Sequence, residues 1–286
     1  MNYLNFLSLL GDVTVPNDAA GFTFWLGTMA MMAASVFFFF SMNNVDKKWR
    51  TSLLVSGLIT LIAAVHYMYM RDAHAAGLET TVFRYVDWIL TVPLMCVEFY
   101  LILKVAGATK SHMWKLIGFS TVMLVAGYFG ESIGIADKGT LAVDAVAAVA
   151  GDAEGVGAVA AVAAVAAVDG VAGSVGNPGF LGLNAWMWGL ISGLAYFYIA
   201  YEVWLGSLKK LAVAAGGNVL AAHKMLCWFL LVGWAIYPLG YMAGTDGWYS
   251  SFGAMLPDME VIYNIGDAVN KIGFGLVVYS LAVKES

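Results

Sequence analysis

Charged residues are scarce in this chain of 286 residues: 14 Lys and Arg with 19 Asp and Glu make up only 12% of it. Ordinary soluble domains carry roughly 25%, so a water-facing surface would be hard to build here. That excludes a typical soluble enzyme and a disordered chain. The formal charge of −5 and pI of 5.3 leave no basic footprint for a nucleic-acid partner. Cysteine is nearly absent. Cys96 and Cys227 both sit inside apolar runs, and they give neither a disulfide framework nor a metal-ligand spacing. What remains is 61% hydrophobic and 14% aromatic, with a mean hydropathy of +0.80. This is the composition of a polytopic membrane protein.

A transmembrane helix needs about 20 mostly apolar residues to cross roughly 30 Å of hydrocarbon. Seven stretches qualify, at about 22–42, 52–70, 82–104, 113–134, 181–205, 222–243 and 259–283. The expected fold is therefore all-α, a single seven-transmembrane-helix bundle. Orientation follows from the basic residues. Lys47, Lys48, Arg50, Lys104, Lys110, Lys115, Lys209, Lys210, Lys224 and Lys284 fall on one side, ten of the 14 cations. The positive-inside rule makes that side cytoplasmic, so the N-terminus is expected outside and the C-terminus inside, in a cell membrane. The opposite side holds only Arg71 and Lys138 among many acids. Arg84 and Lys271 fall within spans.

Residues 2–10 are apolar but lack a basic n-region and a clear cleavage site, so they read as an extracellular tail or short interfacial helix. Residues 139–178 are almost wholly Ala, Val, Gly and Asp, with Val at 156, 159, 162, 165, 168 and 171. The uncharged run is too short to span, and a period of three drifts around an α-helix. An extracellular insert between the fourth and fifth spans is the expectation.

An ionisable residue inside a span is a functional hypothesis by default, against the alternative of a snorkelling or structurally paired charge. Asp267 and Lys271, four apart, share one face of the seventh span. Lys271 is too deep to reach water easily. It is either a structural partner of Asp267 or the amine of a Schiff base with an aldehyde cofactor. In the third span Arg84, Asp87, Thr91 and Glu98 are spaced by three, four and seven, which keeps them on one stripe. From Asp87 to Glu98 is about three turns, roughly 16 Å. A cationic Lys271 needs compensation in low dielectric; Asp87 and Asp267 supply two negatives and Arg84 returns one positive. Trp88, Tyr196, Trp234 and Tyr237, with Pro238, suit a long conjugated ligand, though aromatic residues equally make ordinary helix contacts.

These residues resemble a known family. Arg84-Tyr85-Val86-Asp87-Trp88 with Thr91-Val92-Pro93 and Glu98-Phe99-Tyr100 is similar to the third helix of proteorhodopsins. Gly233-Trp234-Ala235-Ile236-Tyr237-Pro238 resembles their sixth helix, and Ile262-Tyr263-Asn264 with Asp267 and Asn270-Lys271 their seventh. His66-Tyr67-Met68-Tyr69-Met70-Arg71 and Gly127-Tyr128-Phe129-Gly130-Glu131 resemble the second and fourth. The likeness covers all seven spans and leaves out 139–178.

The resemblance implies a microbial rhodopsin of the proteorhodopsin and xanthorhodopsin type, a light-driven outward proton pump and not an enzyme. Lys271 would hold all-trans retinal as a protonated Schiff base. Asp87 would be the counterion and proton acceptor, Asp267 the second counterion and Glu98 the cytoplasmic proton donor. Thr91 would tie the third helix to the counterion region, and His66 would hydrogen-bond Asp87 unless it is simply a packed histidine. Glu131 resembles an extracellular-side carboxylate. Met95 stands at the colour-tuning position, where a non-polar residue implies green rather than blue absorption. Gly189 stands where a glycine opens a lateral window for a carotenoid antenna, although glycine is also common at plain helix contacts. The family further implies a homo-oligomer, a pentamer or trimer. A light-driven sodium or chloride pump would usually replace members of the Asp87, Thr91, Glu98 set, and a photosensor would lack Glu98. A receptor or membrane enzyme without retinal would leave Lys271 unexplained, and no nucleophile–base or metal cluster supports an enzyme.

Overall fold

The computed structural model describes residues 18–138, 180–256 and 259–286, and every regular element among them is helical. The expected interfacial tail at 2–10 and the insert at 139–178 lie outside the described residues. Helix α1 is Ala19–Ser41, α2 Lys47–Ala75, α3 Thr81–Leu103 and α4 Lys110–Lys138. Helix α5 is Ala185–Trp204, followed by α6 Ser207–Ala215 and α7 Gly217–Trp228. A π-helical segment, Phe229–Gly233, leads towards α8 Ile236–Gly244; α9 Ser250–Gly253 and α10 Met259–Lys284 complete the chain.

Among the described residues six spans are long and apolar enough to cross a membrane, one of them assembled from α7, the π segment and α8. The remaining member of the bundle, α5, has 20 residues, enough for about 30 Å at 1.5 Å each. Its Trp and Tyr residues lower its hydropathy without shortening it. It begins at Ala185 because Leu181, at φ 60°, turns the chain left-handed and Asn184 is still extended at ψ 164°.

Each spanning helix packs on its neighbour in sequence, and α10 closes the ring against α1 while also lying on α2 and α3. Apolar side chains such as Phe22, Leu26, Met29 and Phe40 of α1 face outward, whereas Arg84, Asp87, Glu98, Asn264, Asp267 and Lys271 are buried. A soluble domain distributes these the other way round. In hydrocarbon the polar groups gather inside, where they can satisfy one another.

The sixth span departs from a plain α-helix for identifiable reasons. The Trp234 N–H reaches back five residues to the Phe229 carbonyl at 3.1 Å, a π-type bond. Pro238 offers no N–H to the Trp234 carbonyl, which accepts instead from the Tyr237 N–H at 3.2 Å. Side chains of other helices satisfy the carbonyls this loosens. Asn270 Nδ2 donates to the Gly233 carbonyl at 2.8 Å, and the Tyr196 hydroxyl lies 3.2 Å from the carbonyls of both Leu230 and Leu231.

Gly233 is required by that arrangement, because a side chain there would overlap the Asn270 amide. Gly233→Ala should therefore destabilise the protein by about 1–3 kcal/mol, read as thermal unfolding in detergent. An unchanged transition would show that Asn270 does not brace the π segment.

Candidate functional site

The centre of the bundle is a buried ion cluster. Lys271, on α10 and 2% exposed, points its ammonium at Asp87 of α3, with Nζ 2.7 Å from Oδ2. It also donates to Oδ2 of Asp267, one turn away on its own helix. Asp267 has further donors: the Tyr237 hydroxyl at 2.7 Å on Oδ1 and the Tyr67 hydroxyl at 3.1 Å on Oδ2. The two carboxylates thus differ. Asp267 accepts from three side chains on three elements, whereas Asp87 Oδ1 has no hydrogen-bond partner among the described residues.

His66 lies beside that oxygen, its Nδ1 3.5 Å from Asp87 Oδ1. The same nitrogen is 2.9 Å from the Ile62 carbonyl, and this shorter contact takes the Nδ1 hydrogen. The expected His66–Asp87 hydrogen bond is therefore a close approach rather than a formed bond. Thr91 donates to the backbone carbonyl of Asp87 at 2.9 Å, not to its carboxylate. It fixes the helix turn that carries Asp87.

Arg84 is buried but pairs with no carboxylate among the described residues. Its Nη2 donates to Asn264 Oδ1 at 2.8 Å, and its guanidinium carbon lies 5.2 Å from the Phe24 ring centre and 5.1 Å from that of Tyr263. Asn264 in turn donates to Thr23 Oγ1 at 3.0 Å and to the Ala20 carbonyl at 3.3 Å. Ring faces and a neutral amide therefore hold this cation. With Lys271, Asp87 and Asp267 it makes a formally neutral set of four buried charges.

Glu98 lies farther along α3 and is fully buried. Its Oε1 accepts from Ser56 of α2, while Oε2 has no hydrogen-bond partner among the described residues. On the other half of the bundle Glu131 Oε2 accepts from the Tyr85 hydroxyl at 2.8 Å. No group of His, Cys, Asp and Glu among the described residues could hold a metal.

Beside the ion cluster is a cavity of about 500 Å³, lined by Trp88, Tyr196, Trp234, Tyr237, Pro238 and Gly189 among others. Trp88 and Tyr237 meet edge to face with ring centres 4.8 Å apart. Tyr237 belongs to both places, since it lines the cavity and donates to Asp267. Met95 is buried in the core but is not among the lining residues. The space a side chain at Gly189 would need is taken by the Tyr241 ring, whose hydroxyl donates to the Ala185 carbonyl at 2.5 Å.

Sequence reasoning gave Tyr67, Asn264, Asn270 and Ser56 no role. A signal existed for Asn264, which precedes Asp267 by three and Lys271 by seven and so shares their stripe. The Tyr67 and Ser56 contacts join residues far apart in sequence and have no local signature.

A membrane bundle with a lysine buried between two aspartates is one architectural class. The model of the bacteriorhodopsin-like protein family matches residues 18–146 and 140–285, and the chain belongs to that family. It is 38% identical over 279 residues to the green-light absorbing proteorhodopsin of Gamma-proteobacterium EBAC31A08, covering 96% of this chain and 91% of the relative. The blue-light absorbing proteorhodopsin of Gamma-proteobacterium Hot 75m4 is also 38% identical, over 99% of this chain and 93% of its own. Among solved structures, xanthorhodopsin, described as a light-driven ion pump with dual chromophore, superposes with a TM-score of 0.66. The two are 26% identical, with coverage of 93% of each chain.

Removing the Lys271 cation leaves two buried carboxylates facing each other. Lys271→Ala should cost the unliganded protein about 3–5 kcal/mol, and adding Asp87→Asn should recover part of that. Denaturation in detergent measures both; wild-type stability in the single variant would contradict the ion cluster.

Proposed function

We propose that this chain is a light-driven outward proton pump in which Lys271 binds retinal. The observation behind the proposal is the placement of one buried amine against Asp87 and Asp267, with Glu98 on the same face of α3 about three turns away. The residues fit the cofactor. An aldehyde needs a primary amine, and a cation retained on that nitrogen needs the two carboxylates that Lys271 has. The aromatic cavity beside them lies within the roughly 300–1,000 Å³ usual for small-molecule sites. Bound there, retinal would supply a light-driven change in the direction and proton affinity of the group on Nζ.

The chain's own residues account for the rest. Asp87 Oδ2, 2.7 Å from Nζ, is the proton acceptor. Its Oδ1, without a hydrogen-bond donor, leaves room to settle the proton. Asp267 already accepts from two phenols and the Lys271 nitrogen, so its oxygens are more fully engaged than those of Asp87. Glu98 is the proton donor that reloads Nζ, held by Ser56 in an enclosed site that keeps it apart from the bulk solvent. Arg84, fixed by Asn264, lies about one turn beyond Asp87 on the opposite side from Glu98. Donor and acceptor therefore stand at different depths, and transport has a built-in direction.

In this reading, following the positive-inside rule, the Glu98 half is cytoplasmic and the Asp18 end is outside. The relatives, light-absorbing proteorhodopsins and a light-driven ion pump, support this reading. The non-polar Met95 favours green absorption. Gly189, on the cavity wall and against Tyr241, is where a carotenoid antenna would lie.

Illumination of unbuffered cells carrying the chain and retinal should acidify the medium, and a protonophore should abolish the change. Alkalinisation enhanced by the protonophore would instead mean transport of another ion. Glu98→Gln should leave the colour nearly intact and slow dark-state recovery by on the order of 10². Recovery at the wild-type rate in flash spectroscopy would remove Glu98 from the cycle.

A further inference from the structure

The Asp18 end of the bundle holds a second ionic cluster that the central site does not use. His74, at the end of α2, has Nε2 3.0 Å from Asp18 Oδ1 and Nδ1 3.0 Å from Glu260 Oε2. Asp18 caps α1, accepting from the Gly21 N–H at 2.7 Å, and Glu260 opens α10, accepting from Thr80 Oγ1 at 2.8 Å. One imidazole thus joins the ends of three helices. Its neighbours come from separate segments, 56 residues apart for His74 and Asp18.

The hydrogen count at this cluster is informative. A neutral imidazole has one N–H and one lone pair, and a lone pair aimed at a carboxylate oxygen 3.0 Å away is repulsive. Both contacts are favourable only when the three side chains carry one hydrogen more than a neutral ring beside two carboxylates. Each nitrogen faces its own carboxylate, so the three groups do not converge on a single point as metal ligands would. The side chains of His74, Asp18 and Glu260 are 27%, 27% and 32% exposed, open enough to exchange with water.

The surroundings connect the cluster to the interior. The His74 ring centre is 5.7 Å from that of Phe24, which also receives Arg84. Glu260 precedes Asn264, the partner of the Arg84 side chain, by one helical turn, and the backbone N–H of Arg84 donates to the Thr80 carbonyl at 3.1 Å. Other charged groups at this end, among the described residues, include Glu79, Asp246 and the pair Arg71–Asp72, whose members lie 2.9 Å apart. Partial burial acts to raise the Asp18 pKa, but hydrogen bonds from Gly21 and His74 outweigh it and hold the carboxyl below its usual 3.8.

We propose that Asp18, His74 and Glu260 together bind one exchangeable proton and form the last proton station before the outer medium. The station role rests on the pump reading above; the shared proton does not.

Two measurements on the full-length protein in lipid separate these. In nitrogen-15 spectra of histidine-labelled protein in the dark at neutral pH, both ring nitrogens of His74 should carry hydrogen, the signals being assigned by their loss in His74→Gln. Asp18→Asn combined with Glu260→Gln should convert the ring to the singly protonated form. A singly protonated ring in the wild type, with both Asp18 and Glu260 ionised in the carboxyl infrared region, would overturn the proposal. After a single flash, a pH dye in the outer medium should report proton release in the wild type and a delayed or lost signal in His74→Gln, with an unchanged visible maximum. Gly21→Ala, which displaces Asp18, should weaken release in the same direction. Unaltered release in both variants would overturn the station even with a doubly protonated ring. A wild type that pumps no proton would defeat the pump reading instead, leaving the spectra to decide the shared proton.

Discussion

A single ammonium group in the middle of the bundle sets the terms for everything around it. Taking the Lys271 charge out of water costs several kcal/mol even after relaxation, so two carboxylates stand within reach of Nζ. Those carboxylates need donors of their own, and for Asp267 these are the hydroxyls of Tyr67 and Tyr237 from two other helices. Tyr237 follows the π segment, where one extra residue per turn rotates everything beyond it by about 100°. The irregular backbone of the sixth span, braced by Asn270 and Tyr196, thereby contributes to the position of a hydroxyl on the counterion.

The same constraint explains why the polar interior is graded rather than uniform. Asp267 is saturated with donors, Asp87 has an oxygen to spare, and Arg84 sits among rings and an amide instead of collapsing onto either carboxylate. Glu98 is isolated in its own apolar compartment with Ser56. Direct pairing of all these charges would give a tight and inert cluster. Their separation leaves each with its own set of partners, so the polar interior changes in character along the bundle axis.

Much of this was legible in the sequence for a simple reason. Lys271, Asp87, Asp267 and Glu98 are ions in otherwise apolar runs, and helical spacing alone puts Arg84, Asp87, Thr91 and Glu98 on one stripe. The helical class and the apolar spans were equally plain from composition and run length, although α5, rich in Trp and Tyr, is visible by length more than by hydropathy. Contacts that depend on packing between distant segments were not legible. Nothing local marks Tyr67 as a partner of Asp267, or His74 as a link between Asp18 and Glu260. Packing adds contacts that local reading does not foresee: Gly189 lines the cavity while accommodating Tyr241, His66 places its Nδ1 hydrogen on its own helix, and Met95 lies in the core.

Whether Lys271 is the amine that takes the aldehyde can be settled chemically. Retinal-loaded protein would be reduced with borohydride, digested and mapped by mass spectrometry. A retinyl adduct confined to the peptide bearing Lys271 is the predicted result. An adduct on another lysine, or none after loading has produced colour, would contradict the account at its centre.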